Sequence, residues 1–169
     1  MAVNNIIKRI QNIMRQDAGI NGDAQRIEQM TWMFFLKVYD TQEETWEYKD
    51  ENYKSIIPED LRWRKWAVDE KDGEALTGEA LLSFVNEKLF PTLKNLPIDA
   101  NTPRAKSIVL ETFADLNQYM KNGTLLRQVV NIVNEIEFDD ADDRHTFGDI
   151  YEGILKDLQS AGNAGEFYT

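Results

Sequence analysis

Three short stretches of this 169-residue chain carry side chains suited to chemistry. The first is the C-terminal Gly165-Glu166-Phe167-Tyr168-Thr169, an aromatic pair between a carboxylate and a hydroxyl, behind the loop Ala161-Gly162-Asn163-Ala164-Gly165. Rings in that position either meet a ligand or fold back onto the core. The second is Leu61-Arg62-Trp63-Arg64-Lys65-Trp66, a basic and aromatic cluster in an acidic chain. Arg62, Arg64 and Lys65 suit contact with DNA phosphates or with a partner subunit. In the alternative reading the two tryptophans anchor an irregular segment and the cations face the protein's own acidic surface. The third is Asp139-Asp140-Ala141-Asp142-Asp143. It lacks the alternate spacing, turn glycine and distal glutamate of a calcium loop, so it reads as the solvated cap of a helix and no metal is expected. The chain has no cysteine, which excludes disulfides, thiolate metal sites and a cysteine nucleophile. His145 is the sole histidine and has no serine or cysteine motif beside it, so it reads as a surface residue.

The elements that must position these groups are nearly all helical. Ile6, Ile7, Ile10, Ile13 and Met14 recur at helical spacing and predict an amphipathic helix over about 4–15. Asp17-Ala18-Gly19 and Asn21-Gly22 break it, and Asp23 can cap a long helix over about 24–48. The middle of that helix, Met30 to Leu36, is apolar all round and belongs at the centre of the fold. Residues 49–76 are polar and irregular. Thr77 can cap a helix over about 78–90, and Pro91 and Pro97 then bound a short piece around Leu93. Thr102-Pro103 opens a helix to about Met120, which Asn122-Gly123 ends. Leu125, Leu126, Val129, Val130 and Val133 mark the next one. Phe147, Ile150, Tyr151, Ile154, Leu155 and Leu158 share a face of the last, where Gly148 and Gly153 suggest close approach of another helix or of a ligand-binding loop, or else fraying of a surface helix. The expected fold class is all-α, an irregular helical bundle with a loop-rich segment over 49–76.

Composition narrows function. The net charge of −11 makes the chain a poor stand-alone binder of nucleic acid, so it binds proteins, or a local patch or another subunit supplies positive charge. The start lacks a basic and then apolar signal. The longest apolar run, Met30 to Tyr39, falls short of the roughly 20 residues a bilayer needs, and a cytoplasmic protein is expected.

The tail resembles the start of the Gly-(Glu/Gln)-(Phe/Tyr)-(Phe/Tyr)-Thr-Pro motif of modification subunits of type I restriction–modification systems, the N6-adenine DNA methylases. Asp143, Gly148, Tyr151, Glu152 and Leu155 resemble that family's helix just upstream, and Leu126 to Asn131 with Glu135 to Phe138 the segment before it. Arg26 to Trp32 and Phe35-Leu36-Lys37 resemble its long second helix. The resemblance implies a helical N-terminal domain over 1–160, then a linker and the start of a Rossmann-like domain that binds S-adenosylmethionine over 161–169. It implies cofactor contacts from Glu166, Phe167, Tyr168 and Thr169. A hydroxyl or free N–H can hold the cofactor's carboxylate, Glu166 its ammonium, and the rings an apolar wall. The family's Asn-Pro-Pro-(Phe/Tyr) motif, which grips a flipped adenine, has no counterpart, and neither has a Gly-x-Gly loop, so these residues alone should be catalytically inactive. The implied partners are a specificity subunit, a restriction subunit and duplex DNA, with the helical domain aiding assembly and closure around the DNA. The competing reading is an acidic, non-enzymatic adaptor that mimics DNA charge.

Overall fold

The computed structural model describes residues 3–69, 73 and 75–137. The helix expected over Phe147 to Leu158, the acidic run at 139–143, His145, Gly148, Gly153 and the tail with Glu166, Phe167, Tyr168 and Thr169 lie outside the described residues. Among the described residues seven α-helices follow one another: α1 (Val3–Met14), α2 (Gly22–Lys49), α3 (Trp63–Trp66), α4 (Gly78–Phe84), α5 (Phe90–Lys94), α6 (Arg104–Ala114) and α7 (Gly123–Val133). There is no strand among the described residues, and the class is all-α as expected. No helix among them is long and apolar enough to cross a membrane.

The apolar middle of α2 dictates the architecture. Trp32, Met33, Phe34, Phe35, Leu36, Val38 and Tyr39 are all buried, so the helix needs cover on several sides. Trp32 meets Phe90 of α5 edge-on at 5.0 Å and stacks with Trp66 of α3 at 6.5 Å. Phe35 meets Phe113 of α6 at 6.0 Å, and Phe113 in turn meets Phe90 at 5.2 Å. Each such ring removed from water contributes about 1.5–3 kcal/mol. Helix α1 buries Ile6, Ile10 and Met14, and packs on α7, which also receives α4.

Four boundaries depart from the sequence expectation. Pro91 does not end the helix that starts at Gly78. A π-helical turn over Val85–Leu89 widens the backbone, Phe90 N–H reaching back to the Val85 carbonyl, and the helix runs on to Lys94. The wider turn makes room for the pyrrolidine ring, which would clash with an ordinary α-turn. Helix α6 stops at Ala114, not near Met120. Side chains from other elements take the backbone groups that a longer helix would use itself. Lys94 Nζ donates to the carbonyls of Phe113 (2.7 Å), Ala114 (3.3 Å) and Leu116 (2.7 Å). Glu28 accepts from Asn117 N–H at 2.7 Å, Gln29 from Tyr119 N–H at 2.8 Å, and Asp17 from Lys121 and Asn122 N–H at 2.9 Å each. Finally, Asn122 opens α7 where it was expected to close the preceding helix. Its side chain accepts from Leu125 N–H at 3.0 Å, an N-cap bond. Asp23 lies in the first turn of α2, with Asn21 at the cap position.

Candidate functional site

On its C-terminal half, α2 carries Asp40, Glu43 and Glu47 at spacings of three and four, one stripe of a helix. Opposite them the chain makes a 3-10 turn (Glu59–Leu61) and the four-residue α3, with Trp63 and Trp66 buried at either end of it. Trp66 Nε1 donates to the Leu61 carbonyl at 3.0 Å, and Trp63 Nε1 to Asn134 Oδ1 at 2.8 Å. With both rings fixed, Arg62 and Arg64 point at the α2 stripe.

Arg62, whose side chain is only 7% exposed, donates to Glu47 at 2.8 Å and Glu59 at 3.3 Å, and its Nη2 lies 3.4 Å from Glu43. Arg64 donates to Asp40 at 2.9 Å and shares Glu47 at 2.8 Å. Lys65 reaches Glu59 at 3.6 Å and stays half exposed. Of the three cations expected to face DNA or a partner subunit, two are therefore turned onto the protein's own carboxylates, and Lys65 keeps most of its solvent face. Both tryptophans anchor the segment.

Electrostatics follows burial. Burial works against the charge on Arg62, but Glu43, Glu47 and Glu59 outweigh it and its pKa is raised. Glu43 is fully buried; desolvation pushes its carboxyl up, against the nearby Ser55 and Tyr53 hydroxyls and the attraction of Arg62. Tyr53 donates to Glu43 Oε2 at 2.5 Å, while Oε1 has no hydrogen bond, its approach to Arg62 being one of charge without bonding geometry. Asp40 is likewise raised by burial against the opposing Arg64. Glu47 is lowered: desolvation raises it, but Arg62 and Arg64 together prevail.

A pH dependence follows. A carboxylate with a raised folded-state pKa contributes stability that is fully present below its unfolded value and lost as pH rises through the folded one. Glu43→Gln keeps the shape and an acceptor for Tyr53 but does not titrate. The melting temperature of the wild type minus that of E43Q should therefore fall as pH rises from about the ordinary value of 4.5. A difference that grows with pH only below that value and stays level above it would mean that Arg62 holds Glu43 ionised throughout. Glu47 works in the opposite direction but is common to both proteins.

Two polar residues that sequence reasoning passed over tie this segment to α7. Arg127 is buried and forms no salt bridge among the described residues; its guanidinium donates to the carbonyls of Leu76 at 3.2 Å and Trp66 at 3.4 Å, and to that of Ala67. Asn134 Nδ2 donates to Ala67 O at 2.9 Å. Their signal in sequence was slight: a charged residue on the apolar face of a helix that otherwise reads as core. No cluster of metal-binding side chains occurs among the described residues.

The described residues thus form an all-α domain whose charged groups largely hold its own elements together. The chain belongs to the HsdM N-terminal domain family, whose model matches residues 3–133. It is 57% identical over 171 residues to the type I restriction enzyme EcoEI methylase subunit of Escherichia coli, covering 100% of this chain and 34% of that protein. Among solved structures it resembles one from Vibrio vulnificus YJ016, described as a modification subunit of a type I restriction enzyme (TM-score 0.72, 31% identity, 94% of this chain and 35% of that one). It also resembles a chain from a study of complex assembly and conformational transition of the type I restriction–modification system (TM-score 0.73, 33% identity, 90% and 29%). The chain thus spans about a third of the length of the relatives it matches, as the N-terminal domain of a methylase subunit would. The adaptor reading finds no support in these likenesses.

Proposed function

We propose that this domain, over 1–160, precedes a Rossmann-like methyltransferase domain that begins within 161–169, in a cytoplasmic enzyme that methylates N6 of adenine in duplex DNA. The observation that carries this reading is the 57% identity to a methylase subunit along the whole chain, the Gly165-Glu166-Phe167-Tyr168-Thr169 tail included. S-adenosylmethionine supplies the methyl group when bound. From this chain, Thr169 or a neighbouring N–H would hold its carboxylate, Glu166 its ammonium, and Phe167 and Tyr168 an apolar wall. The specificity and restriction subunits are the proposed protein partners, and the helical domain packs them and closes the complex around DNA. Of the basic cluster, Lys65 and the exposed edge of Arg64 are the groups left to touch DNA or a subunit.

The test uses the longer protein with its partner subunits. Labelled methyl should appear on adenine N6 of duplex DNA, whereas residues 1–169 alone should transfer none. In the longer protein Thr169→Ala should weaken cofactor binding about tenfold or more, the loss of a hydrogen bond to a charged group. Phe167→Ala should weaken it as well, while leaving the melting of residues 1–169 nearly unchanged. A Phe167→Ala variant that unfolds the short chain yet keeps cofactor affinity would assign the ring to the core.

A further inference from the structure

Cations in this protein are mostly committed to carboxylates or to backbone carbonyls. Among the described residues, Lys8, Arg15, Lys54 and Lys121 have neither, Arg15 touching only Asn12 at 3.0 Å. Lys8 and Arg15 lie near the start of the chain, and Lys121 is held beside Asp17, two residues past Arg15. Residues 1–16 contain Lys8, Arg9 and Arg15 and no carboxylate, within a chain of net charge −11. Arg9 is taken by Glu135 at 2.9 Å. Asn5, Lys8, Asn12 and Arg15 are exposed and recur at three- and four-residue spacing, one outward stripe of α1, with Lys8 and Arg15 about 10 Å apart along the axis. Lys121 is exposed and lies past the C-terminal end of α1, in a groove it shares with Gln16, Asp17 and Ala18. The buried carboxylate of Asp17, two residues past Arg15, accepts from the N–H groups of Gly19, Lys121 and Asn122. That clamp fixes Lys121 beside the end of α1, its stem against Gly19. The same three bonds occupy Asp17, so it does not neutralise the patch from outside. One exposed carboxylate, Glu79, borders the groove next to Lys121.

We propose that the stripe of Asn5, Lys8, Asn12 and Arg15, with Lys121, is a docking surface for the phosphate backbone of duplex DNA. Every side chain in it can donate a hydrogen bond, and mixed amides and cations are the donors that phosphate oxygens accept. An interface with an acidic protein would want an apolar anchor at its centre. This stripe has none, because Ile6, Ile10 and Met14 all point into the core. Such a contact reads no sequence; it holds the register of the domain on the duplex. The proposal rests on the reading of the whole enzyme as a DNA methylase.

The assembled methylase is the system in which to test it, with the combined variant Lys8→Gln, Arg15→Gln, Lys121→Gln. Affinity for a duplex is measured as a function of salt, and subunit assembly by co-elution. Each lost phosphate contact lowers the salt slope by about 1, so the expected change is close to 3, with weaker binding at fixed salt whatever the duplex sequence. Lys54→Gln, the unpaired cation outside the stripe, should leave the slope as it was. An unchanged slope in the triple variant overturns the proposal, and so does an equal change in Lys54→Gln, which would report only overall charge. Loss of a subunit from the triple variant would overturn it in favour of a protein partner. Failure of the unmodified complex to bind DNA would instead remove the reading of the enzyme itself.

Discussion

Arg62→Ala should destabilise the domain by about 3–5 kcal/mol, the range for removing one partner of a buried ion pair. The magnitude comes from what is left behind. Glu43 is fully buried, one of its oxygens has no hydrogen bond, and Arg62 supplies its nearest positive charge. Without it the carboxylate must desolvate alone or take up a proton at neutral pH, and its pKa is raised already. Glu47 fares better, since it is a third exposed and keeps Arg64. Alanine at Arg64 should therefore cost less. At Lys65, half exposed and 3.6 Å from its partner, alanine should cost at most about 1 kcal/mol. Apolar replacement of both Arg62 and Glu43 should recover much of the loss, because the pair's attraction is set against the desolvation of two charges. Denaturant unfolding of residues 1–169 measures all four variants. If Arg62→Ala cost under 1 kcal/mol while the assembled enzyme lost DNA affinity, Arg62 would serve a partner and not the fold.

The basic-aromatic cluster shows where sequence reading stops. Residue types alone identify a rare basic patch and two anchoring tryptophans, and they fit either a contact with a partner or a contact with the protein's own carboxylates. That Arg62 and Arg64 pair with Asp40, Glu43 and Glu47, some twenty residues upstream, is not legible in residue types, because it depends on where α2 presents that stripe. The central position of α2 was legible because an all-apolar helical stretch has no solvent face. The end of α6 was not. Nothing local stops a helix at Ala114; Lys94, Glu28, Gln29 and Asp17 do so from other elements by taking its successor's backbone groups. Asn122-Gly123 was misread for a related reason. Asparagine and glycine occur at both ends of helices, and only the bond from Leu125 N–H to Asn122 shows which end this is.

Gly123→Ala should be strongly damaging for a single added methyl, costing about 3 kcal/mol or more. Local propensity argues the other way, since alanine inside a helix is worth about 1 kcal/mol over glycine. Packing decides the sign. A Cβ at Gly123 would stand 1.8 Å from the Gly78 carbonyl oxygen, 2.3 Å from its carbon and 2.7 Å from its Cα. These are backbone atoms with no rotamer to retreat into, so the starts of α4 and α7 would have to separate. The gap would propagate to Leu81, Leu126 and Val130, all fully buried behind the contact. The other side of the same contact supplies the control. Gly78 has a φ of +59°, but a Cβ there meets nothing within 4 Å, so Gly78→Ala should cost only the left-handed backbone strain, about 1–2 kcal/mol. Gly22, with φ +83° and equally open space, should behave like Gly78. Denaturant midpoints for the three alanine variants test the ordering. Equal losses at Gly123 and Gly78 would mean that the two helices slide apart freely and that the glycine pair does not fix their distance.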